Sequence, residues 1–555
     1  MWLVGLDLGT QSVKAVVCDA TLAIRGAHAV SYATTHPQPG WAEQDPFAWE
    51  AALRPAIHGA LAMAKASPTD VVALAIAAQL DGCIAVDVNN APLHPALIWQ
   101  DRRATAEAAL ADPSRLFALA GQVADASHFA AKLVWLREHL GGQDVRPARY
   151  HQPTSYLVAR LTGTSVMDAS LASTTMLYAL TDAVDPESGV SSSSASLLSA
   201  SSLNASSNAW STELCAMFGV DPRELPAIAA TCDVAGTLTA DGARLTGLPA
   251  GVRVAVGTGD DFANALGAGI VEPGTILCAV GTAEVVGALA TSPLLDVTHL
   301  SRDWIPSKHG VDPRDWIPSK HDETSASVGR AGSPEKGADP VSPMLETHVY
   351  PVPGAYFIEN PGWLSGGAVR WATKMLRLAD DAALDALAAR APAGCDGVTF
   401  IPALNGSMTP VWRPGMRGAL HGLSASHGPE HIARAVLEGL AFACKDVVDR
   451  LAAMGLADDH VVLAGGGAQS ALWAQIRADV LGLPHRVSAV TDASPLGAAM
   501  IAAVAVNVVP DLRAAAALVP GPASTAMPDP AAADAMGEAY RRYQQLVGIA
   551  LSALV

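Results

Sequence analysis

Residues 3–19 read LVGLDLGTQSVKAVVCD, two apolar runs that a Gly-Thr turn at residues 9–10 joins into a predicted hairpin. The same pattern returns at residues 276–287, ILCAVGTAEVVG, with its Gly-Thr turn at residues 281–282. Backbone N–H groups and threonine hydroxyls in such turns can donate hydrogen bonds to phosphate. Either turn alone favours an ordinary hairpin, but one copy in each half of the chain indicates duplicated lobes that hold a phosphate chain between them.

Two adjacent carboxylates, Asp260 and Asp261, stand in the glycine-rich segment 257–269, which follows a predicted strand at residues 252–256. Neighbouring like charges repel each other, so the pair suggests a chemical role. One carboxylate could accept the proton of a substrate hydroxyl during phosphoryl transfer, while the other holds a second hydroxyl. These residues alone favour a plainer interpretation, an ordinary helix N-terminus at which Asp pairs with free N–H groups.

The composition restricts the class of protein and its partners. The 555 residues include 35 Lys and Arg against 53 Asp and Glu, for a net charge of −18, which argues against nucleic acid or an anionic membrane surface as the main partner. Scattered cysteines without a Cys-x-x-Cys pattern, and no signal peptide after Met1, predict reduced thiols in the cytoplasm. The apolar segment 496–509 is shorter than the roughly 18 residues of a membrane span and predicts a buried helix.

Further places carry residues suited to binding small molecules. Asp7 precedes the first Gly-Thr turn, where its carboxylate could hold a magnesium ion. Polar residues end a predicted strand at residues 79–82, and Trp99 lies in another polar cluster, which suits a hydroxylated ligand. The apolar run 461–464 leads into the glycine-rich turn 465–468 and a predicted helix, a geometry that lets a nucleotide approach the backbone. No Gly-Lys pair is present, which excludes a Walker A loop.

Two segments break the pattern and predict insertions. Residues 185–209 are serine-rich and predict a mobile surface insertion. Residues 293–345 contain RDWIPSKH twice, at 302–309 and 314–321. The copy could be a docking loop for a partner, but two repeats are too few for a solenoid, and a neutral local duplication is the favoured interpretation.

An ordered set of motifs resembles the FGGY carbohydrate kinases, and within them the xylulokinase group. Residues 7–10, Asp-Leu-Gly-Thr, resemble the first phosphate motif of the family, residues 281–282 the second, and residues 465–467 the adenosine motif. Residues 418–438 match the C-terminal signature of the family completely. The match covers nearly the whole chain outside the two predicted insertions.

The resemblance implies an α/β protein with two ribonuclease-H-like lobes, of the hexokinase and actin type, around a central cleft. The N-terminal lobe would span residues 1–250, with the insertion 185–209, and carry most sugar contacts. The C-terminal lobe would span residues 251–555, with the insertion 293–345, and carry the catalytic base and most nucleotide contacts.

The resemblance also assigns roles to residues. Asp260 would be the catalytic base, and together with Asp7 it would bind Mg²⁺. The sugar would be held by Gln79, Asp81, Gly82, Trp99 and Asp261. ATP would be held by Thr10, Gln11, Lys14, Gly281, Thr282, Gly465, Gly466, Gly467 and Ala468. Asp81 departs from the family, because xylulokinases typically have His there, and an ionised carboxylate can only accept hydrogen bonds.

The expected activity is ATP-dependent phosphorylation of D-xylulose to D-xylulose 5-phosphate, in the cytoplasm, with a homodimer left open as the assembly. Kinases for ribulose, L-xylulose, erythritol or glycerol are alternatives within the same class. A non-sugar ATPase of the same superfold, or an inactive relative impaired by its insertions, are alternatives of another class.

Overall fold

The computed structural model of the protein describes residues 1–140, 147–180, 209–295, 344–413, 415–457 and 459–552. The predicted insertions 185–209 and 293–345 lie outside these residues except at their edges, and the tandem RDWIPSKH copies lie outside them entirely. Among the described residues, none of the helices combines the length and the apolar character needed to cross a membrane.

The first of two large sheets is built around the hairpin predicted from residues 3–19. Its seven strands, in spatial order, are β11 (Val234–Thr237), β12 (Arg253–Ala255), β5 (Val71–Ala78), β1 (Trp2–Leu8), β2 (Ser12–Cys18) and β3 (Ile24–Ser31), with β13 (Thr258–Gly259) beside β5. β1 and β2 pair antiparallel, while β5 runs parallel to β1. The predicted hairpin is confirmed.

The second large sheet is built around the hairpin predicted from residues 276–287. Its seven strands, in spatial order, are β16 (Glu346–Val349), β17 (Tyr356–Leu364), β15 (Ala283–Ala290), β14 (Ile276–Val280), β20 (Val461–Ala464), β21 (His485–Val487) and β22 (Ser524–Ala526). β14 and β15 pair antiparallel, and β20 runs parallel to β14. This hairpin is confirmed as well.

The two sheets repeat one arrangement. The series β3-β2-β1-β5-β12-β11 corresponds to β17-β15-β14-β20-β21-β22, both in spatial order and in the direction of every pairing. Such a match confirms the duplicated α/β lobes expected from the sequence. The boundary between residues 250 and 251 stays a prediction, and just beyond it β12 and β13 pair with β5 of the first sheet.

Small sheets and helices complete the described structure. Four two-stranded sheets pair β4 (Glu43–Gln44) with β7 (Ala96–Leu97), β6 (Ile84–Val86) with β8 (Arg149–His151), β9 (Val166–Asp168) with β10 (Ala227–Ala229), and β18 (Thr399–Ile401) with β19 (Ala419–His421). The helices of the first half are α1 (Pro46–Ala64), α2 (Thr105–Ala108), α3 (Pro113–Ala120), α4 (Phe129–Leu140), α5 (Pro153–Thr162), α6 (Ala169–Ser173), α7 (Thr212–Met217), α8 (Ala240–Thr246) and α9 (Asp260–Gly267). Those of the second half are α10 (Gly366–Met375), α11 (Asp381–Ala388), α12 (Pro429–Ala453), α13 (Ala471–Leu481), α14 (Ala493–Ala505), α15 (Leu512–Ala516) and α16 (Ala533–Ser552).

Helices α9 and α14 lie in the core between the two sheets. Their buried side chains share one hydrophobic cluster with Leu3 and Val16 of the first sheet and Leu277 and Phe357 of the second. α14 falls at the apolar segment near residues 496–509, and ten of its residues are buried. The buried helix predicted there is confirmed.

Glycines allow α9, α14 and β1 to approach one another closely. A Cβ atom added at Gly497 of α14 would lie 1.9 Å from the carbonyl oxygen of Ala263 in α9, and one at Gly5 of β1 would lie 1.9 Å from that of Pro495. A Cβ added at Gly267 of α9 would come within 1.8 Å of the backbone at the start of α14. Any larger residue would therefore push the helices apart, because backbone atoms cannot rotate away.

Gly497→Ala tests this close packing. Alanine raises helix propensity, yet the added methyl group would meet backbone, so the free energy of unfolding should fall by about 1–3 kcal/mol. Urea unfolding measures the change. Gly537→Ala is the matched control, because Gly537 lies exposed in α16 with open space beside it, and it should leave stability unchanged or raise it by up to about 1 kcal/mol. Equal stability of Gly497→Ala and the unaltered protein would contradict the interpretation.

Candidate active site

A cleft of about 470 Å³ is lined by residues from both large sheets and from the starts of α9 and α14. The structure brings together most of the predicted site residues in this cleft: Asp7, Thr10, Gln11, Lys14, Gln79, Asp81, Trp99, Asp260, Asp261, Gly281, Thr282, Gly465 and Gly466. Gly82, Gly467 and Ala468 do not line it. The cleft is thus the candidate active site, and the roles predicted for its residues stay predictions.

Asp260 is the first residue of α9, so the helix-capping interpretation and the site interpretation both apply to it. Its Oδ1 accepts a hydrogen bond from the backbone N–H of Asp261 at 3.1 Å. Burial raises the pKa of Asp260 to about 8, and the charge of Asp7 acts in the same direction. Burial and then the charge of Asp260 raise the pKa of Asp261 well above its usual range. The pair is therefore stabilised by a proton or by an incoming cation.

Asp7 lies near the end of β1, which pairs with β5, as does the strand β13 that leads into Asp260. Ser494 at the start of α14 donates a hydrogen bond to Asp7 Oδ1 at 3.0 Å. Burial raises the pKa of Asp7 to about 6. Nearby, the Lys14 ammonium donates to Asp492 at 2.7 Å, which links β2 to the residue that precedes α14. Polar contacts in the cleft thereby join the first sheet to the start of α14.

The two Gly-Thr turns hold their hydroxyls in matching ways. Trp99 Nε1 donates to Thr10 Oγ1 at 2.9 Å, and Arg370 donates to Thr282 Oγ1 at 2.8 Å. Each threonine oxygen is thus engaged as an acceptor, and its own O–H remains available to donate. Both turns can offer a hydroxyl hydrogen to an anion in the cleft. Trp99 was predicted to contact sugar, and its indole N–H donates to Thr10.

The glycine-rich turn after β20 borders the cleft through part of its length. Gly465 has φ +86°, and an added Cβ would lie 2.6 Å from the Val280 carbonyl oxygen, so this position requires glycine. Gly466 has no atom within 4 Å of an added Cβ, so open space lies beside its backbone. Gly467 packs against Val280, and Ala468 is buried. Gly466 is therefore the residue of this turn at which a ligand has room to approach.

The backbone of the loop that holds Asp81 is fixed by a buried lysine. Lys132 Nζ donates to the carbonyl oxygens of Asp81 at 2.8 Å and Ile98 at 2.7 Å, and burial lowers the pKa of Lys132 to about 8. Asp81 itself has φ +58°. An added Cβ at the next residue, Gly82, would lie 2.7 Å from Pro153, so Gly82 supports the loop from outside the cleft.

Four residues of the cleft were missed in the sequence: His128, Glu346, His348 and Glu359. Glu346 on β16 stands directly opposite Glu359 on β17. Like charges in opposing positions destabilise a sheet, and here each carboxylate has an imidazole partner. His128 contacts Glu346 at 3.2 Å, and His348 contacts Glu359 at 3.2 Å.

The other ring nitrogen of His128 contacts Asp81 Oδ2 at 3.1 Å, so this imidazole lies between two carboxylates. Burial alone would lower the pKa of His128, but Asp81 and Glu346 raise it well above its usual value. The pKa of His348 is raised in the same way by Glu359, against the effect of burial. The neighbouring carboxylates thus favour the protonated form of both imidazoles.

Outside the cleft, a buried group of Cys278, Glu284 and Cys444 has the spacing of metal ligands within the described part of the chain. Arg477 donates two hydrogen bonds to Glu284, both at 2.6 Å, and Ser365 donates a third at 2.7 Å. The carboxylate is thus satisfied by protein donors. All seven cysteines are free thiols, as predicted from their spacing.

Comparison with known proteins supports the family resemblance found in the sequence. Residues 2–184 and 188–267 match the model of the N-terminal domain of the FGGY family of carbohydrate kinases, and residues 324–506 match that of the C-terminal domain. The chain is 28% identical to the xylulose kinase of Escherichia coli strain K12, over 91% of this chain and 90% of that protein. It is also 28% identical to a glycerol kinase of Allorhizobium ampelinum, over 92% of each.

Solved structures agree with these relatives. The crystal structure of xylulose kinase from Rhodospirillum rubrum superposes with a TM-score of 0.77 at 27% identity and covers 98% of both chains. Both family models and the complete two-lobed architecture are present in one chain. This protein belongs to the FGGY family of carbohydrate kinases.

Proposed function

We propose that this chain transfers the γ-phosphoryl group of ATP to a hydroxyl of a small ketose or polyol, with D-xylulose at its terminal hydroxyl as the first candidate. The observation that carries the proposal is the position of Asp260. It lines a cleft that also contains both Gly-Thr turns and the open face of Gly466. A proton acceptor, two phosphate-binding turns and a nucleotide turn are the parts that phosphoryl transfer requires.

In this proposal Asp260 accepts or orients the proton of the attacking hydroxyl. The Thr10 and Thr282 hydroxyls and the backbone N–H groups of their turns donate to phosphate oxygens, on which charge develops during transfer. Lys14 and Gln11 lie beside the first turn in the same cleft. Positioning and charge stabilisation supply most of the catalysis in such reactions, so the fixed donors matter more than covalent chemistry.

Asp7 and Asp260 would hold Mg²⁺. Two carboxylates fit this ion, which usually binds one or two protein carboxylates together with waters and substrate phosphates. Burial raises the pKa values of both groups, and the charge of Asp7 adds to the shift at Asp260, so a cation bound by both would relieve an unfavourable contact. When bound, Mg²⁺ neutralises negative charge on the phosphates.

The proposed sugar is D-xylulose, with alternatives among the other neutral sugars and polyols. A xylulose kinase and a glycerol kinase are equally identical to this chain. We keep D-xylulose first, with ribulose, L-xylulose, erythritol and glycerol as alternatives. The cytoplasm, a homodimer and the lobe boundary at residue 250 are kept as parts of the proposal.

Release of ADP across these five substrates is the decisive measurement. One of them should stimulate release at least tenfold, and Asp260→Asn should lower kcat for that substrate by roughly 10² to 10⁴ while ATP still binds. Sugar-independent release in the unaltered protein would favour an ATPase, and no release with any substrate would favour an inactive relative. Near-normal turnover of Asp260→Asn would remove it as the base.

Activity and stability should respond to pH in opposite directions. A base with a pKa of about 8 must lose its proton, so kcat/KM should rise as the pH approaches 8. The pKa of this carboxyl rises from about 4 in the unfolded chain to about 8 in the folded protein. Its contribution to stability is therefore complete below pH 4 and is lost as the pH rises through 8.

The Asp260→Asn variant separates these effects in the absence of ATP and Mg²⁺. Because it cannot ionise, it should be more stable than the unaltered protein by at least about 1 kcal/mol at pH 8.5, with a smaller difference at pH 5.5. Urea unfolding at both pH values measures this. A stability difference that does not change with pH would show that Asp260 ionises freely in the folded state.

Gly466→Leu tests the nucleotide turn. Its side chain would occupy open space beside the cleft, so KM for ATP should rise roughly tenfold with little change in KM for sugar. Gly537→Leu is the control, since Gly537 is exposed and also has open space beside it. An unchanged KM for ATP would place the nucleotide elsewhere.

A further inference from the structure

Three acceptor atoms at one end of the cleft have no hydrogen-bond partner within the described residues: Gln79 Oε1, Asp81 Oδ1 and Glu359 Oε2. All three residues line the cleft. Gln79 is 2% exposed and Glu359 1% exposed, so water outside the protein does not satisfy them. Buried acceptors without partners are costly, and in a binding cleft they indicate a ligand that donates hydrogen bonds.

The identity of the free Gln79 atom follows from a chain of hydrogen bonds. Trp49 Nε1, which can only donate, contacts Gln44 Oε1 at 3.0 Å. Gln44 Nε2 in turn donates to the Thr10 carbonyl oxygen at 2.6 Å. The Gln44 amide is thus fixed, and its oxygen receives Gln79 Nε2 at 2.9 Å. Gln79 is left with its oxygen free, as an acceptor.

The two imidazoles fix the carboxylates in a similar way. His128 donates to Asp81 Oδ2, and His348 donates to Glu359 Oε1, so one oxygen of each carboxylate is engaged. When these groups are ionised, the remaining oxygens, Asp81 Oδ1 and Glu359 Oε2, can only accept. Asp261 adds a further carboxylate to the same end.

The charges at this end of the cleft also favour a neutral ligand that donates hydrogen bonds. The carboxylates that line this end of the cleft are Asp81, Asp260, Asp261, Glu346 and Glu359. The positively charged groups against them are Arg102, which is paired with Asp125, and the imidazoles of His128 and His348, each in contact with a carboxylate. His348 Nδ1 has no partner within the described residues. A carboxylate on the substrate would add a negative charge to this crowded group of carboxyls, whereas a neutral hydroxyl can donate to the unpaired oxygens and can accept from His348 Nδ1.

We propose that Asp81 and Glu359 are specificity-determining residues that bind substrate hydroxyls and select neutral polyhydroxylated substrates against sugar acids of the same length. His128 and His348 act as positioning residues, each holding one oxygen of its carboxylate so that the other faces the ligand. This inference rests on the proposed function and names the substrate class of the same site.

Xylitol and xylonate are suitable probes, because they share five carbons and differ by a terminal hydroxymethyl or carboxylate group. Calorimetric titration of the unaltered protein should show xylitol binding at least thirtyfold more tightly than xylonate. In Glu359→Gln and in Asp81→Asn, xylitol should bind roughly 10- to 100-fold more weakly, and the preference for xylitol should fall at least tenfold. Glu359→Asp, which keeps the charge, should retain most of the preference.

Glu213→Gln is the matched control, because Glu213 forms an exposed ion pair with Arg115. It should change neither binding constant. ATP binding and thermal unfolding of each variant show whether it remains folded. Asp81→Asn and Glu359→Gln alter different elements. Loss of ATP binding in both variants would overturn the assignment in favour of a structural role.

Two outcomes separate this inference from the proposed function. Equal binding of xylonate and xylitol by the unaltered protein, or an unchanged preference in both variants, would overturn the specificity role even if the enzyme phosphorylates a sugar. Absence of sugar-dependent ADP release, with the binding preference intact and lost in the variants, would overturn the kinase proposal and leave this inference standing.

Discussion

The close contact between α9 and α14 is the constraint on which the site depends. Gly267 and Gly497 let the two helices touch at backbone distance, and Gly5 brings β1 against the same helix. The helices run antiparallel, with Gly267 at the end of α9 against Ala493 at the start of α14, and a residue at each helix start, Asp260 and Ala493, lines the cleft. The positive ends of the helix dipoles therefore face the acidic residues there. Packing in the core thus decides where the chemistry can occur.

The same cleft concentrates groups that oppose folding. The half-buried residues Asp7, Asp260 and Asp261 have carboxyl groups with raised pKa values, and β16 and β17 place two glutamates opposite each other. Only part of this charge is compensated by protein groups, chiefly His128 and His348. Functional sites commonly retain such strain because ligands relieve it. Binding of a cation and of hydroxyl donors would complete contacts that the protein leaves unfinished.

Some features of the fold and the site could be predicted from short runs of sequence, and others could not. The Gly-Thr hairpins and the buried helix could be predicted because each is encoded by a short run of residues. Glu346, His348 and Glu359 could not, because their meeting depends on strand register and on His128, more than 200 residues away. Gly82, Gly467 and Ala468 belong to predicted binding motifs, yet they lie outside the cleft. Only the folded chain shows which side of a loop faces a ligand.

The two Gly-Thr turns of the internal repeat differ in the side chains that hold them. Two copies of one hairpin would form a symmetric clamp, whereas a triphosphate is asymmetric along its length. The copies differ in what holds their threonines: a half-buried indole from Trp99 in one, and an exposed guanidinium from Arg370 in the other. The surroundings of the two turns are therefore chemically different, and under the proposed function each turn would suit a different end of the triphosphate.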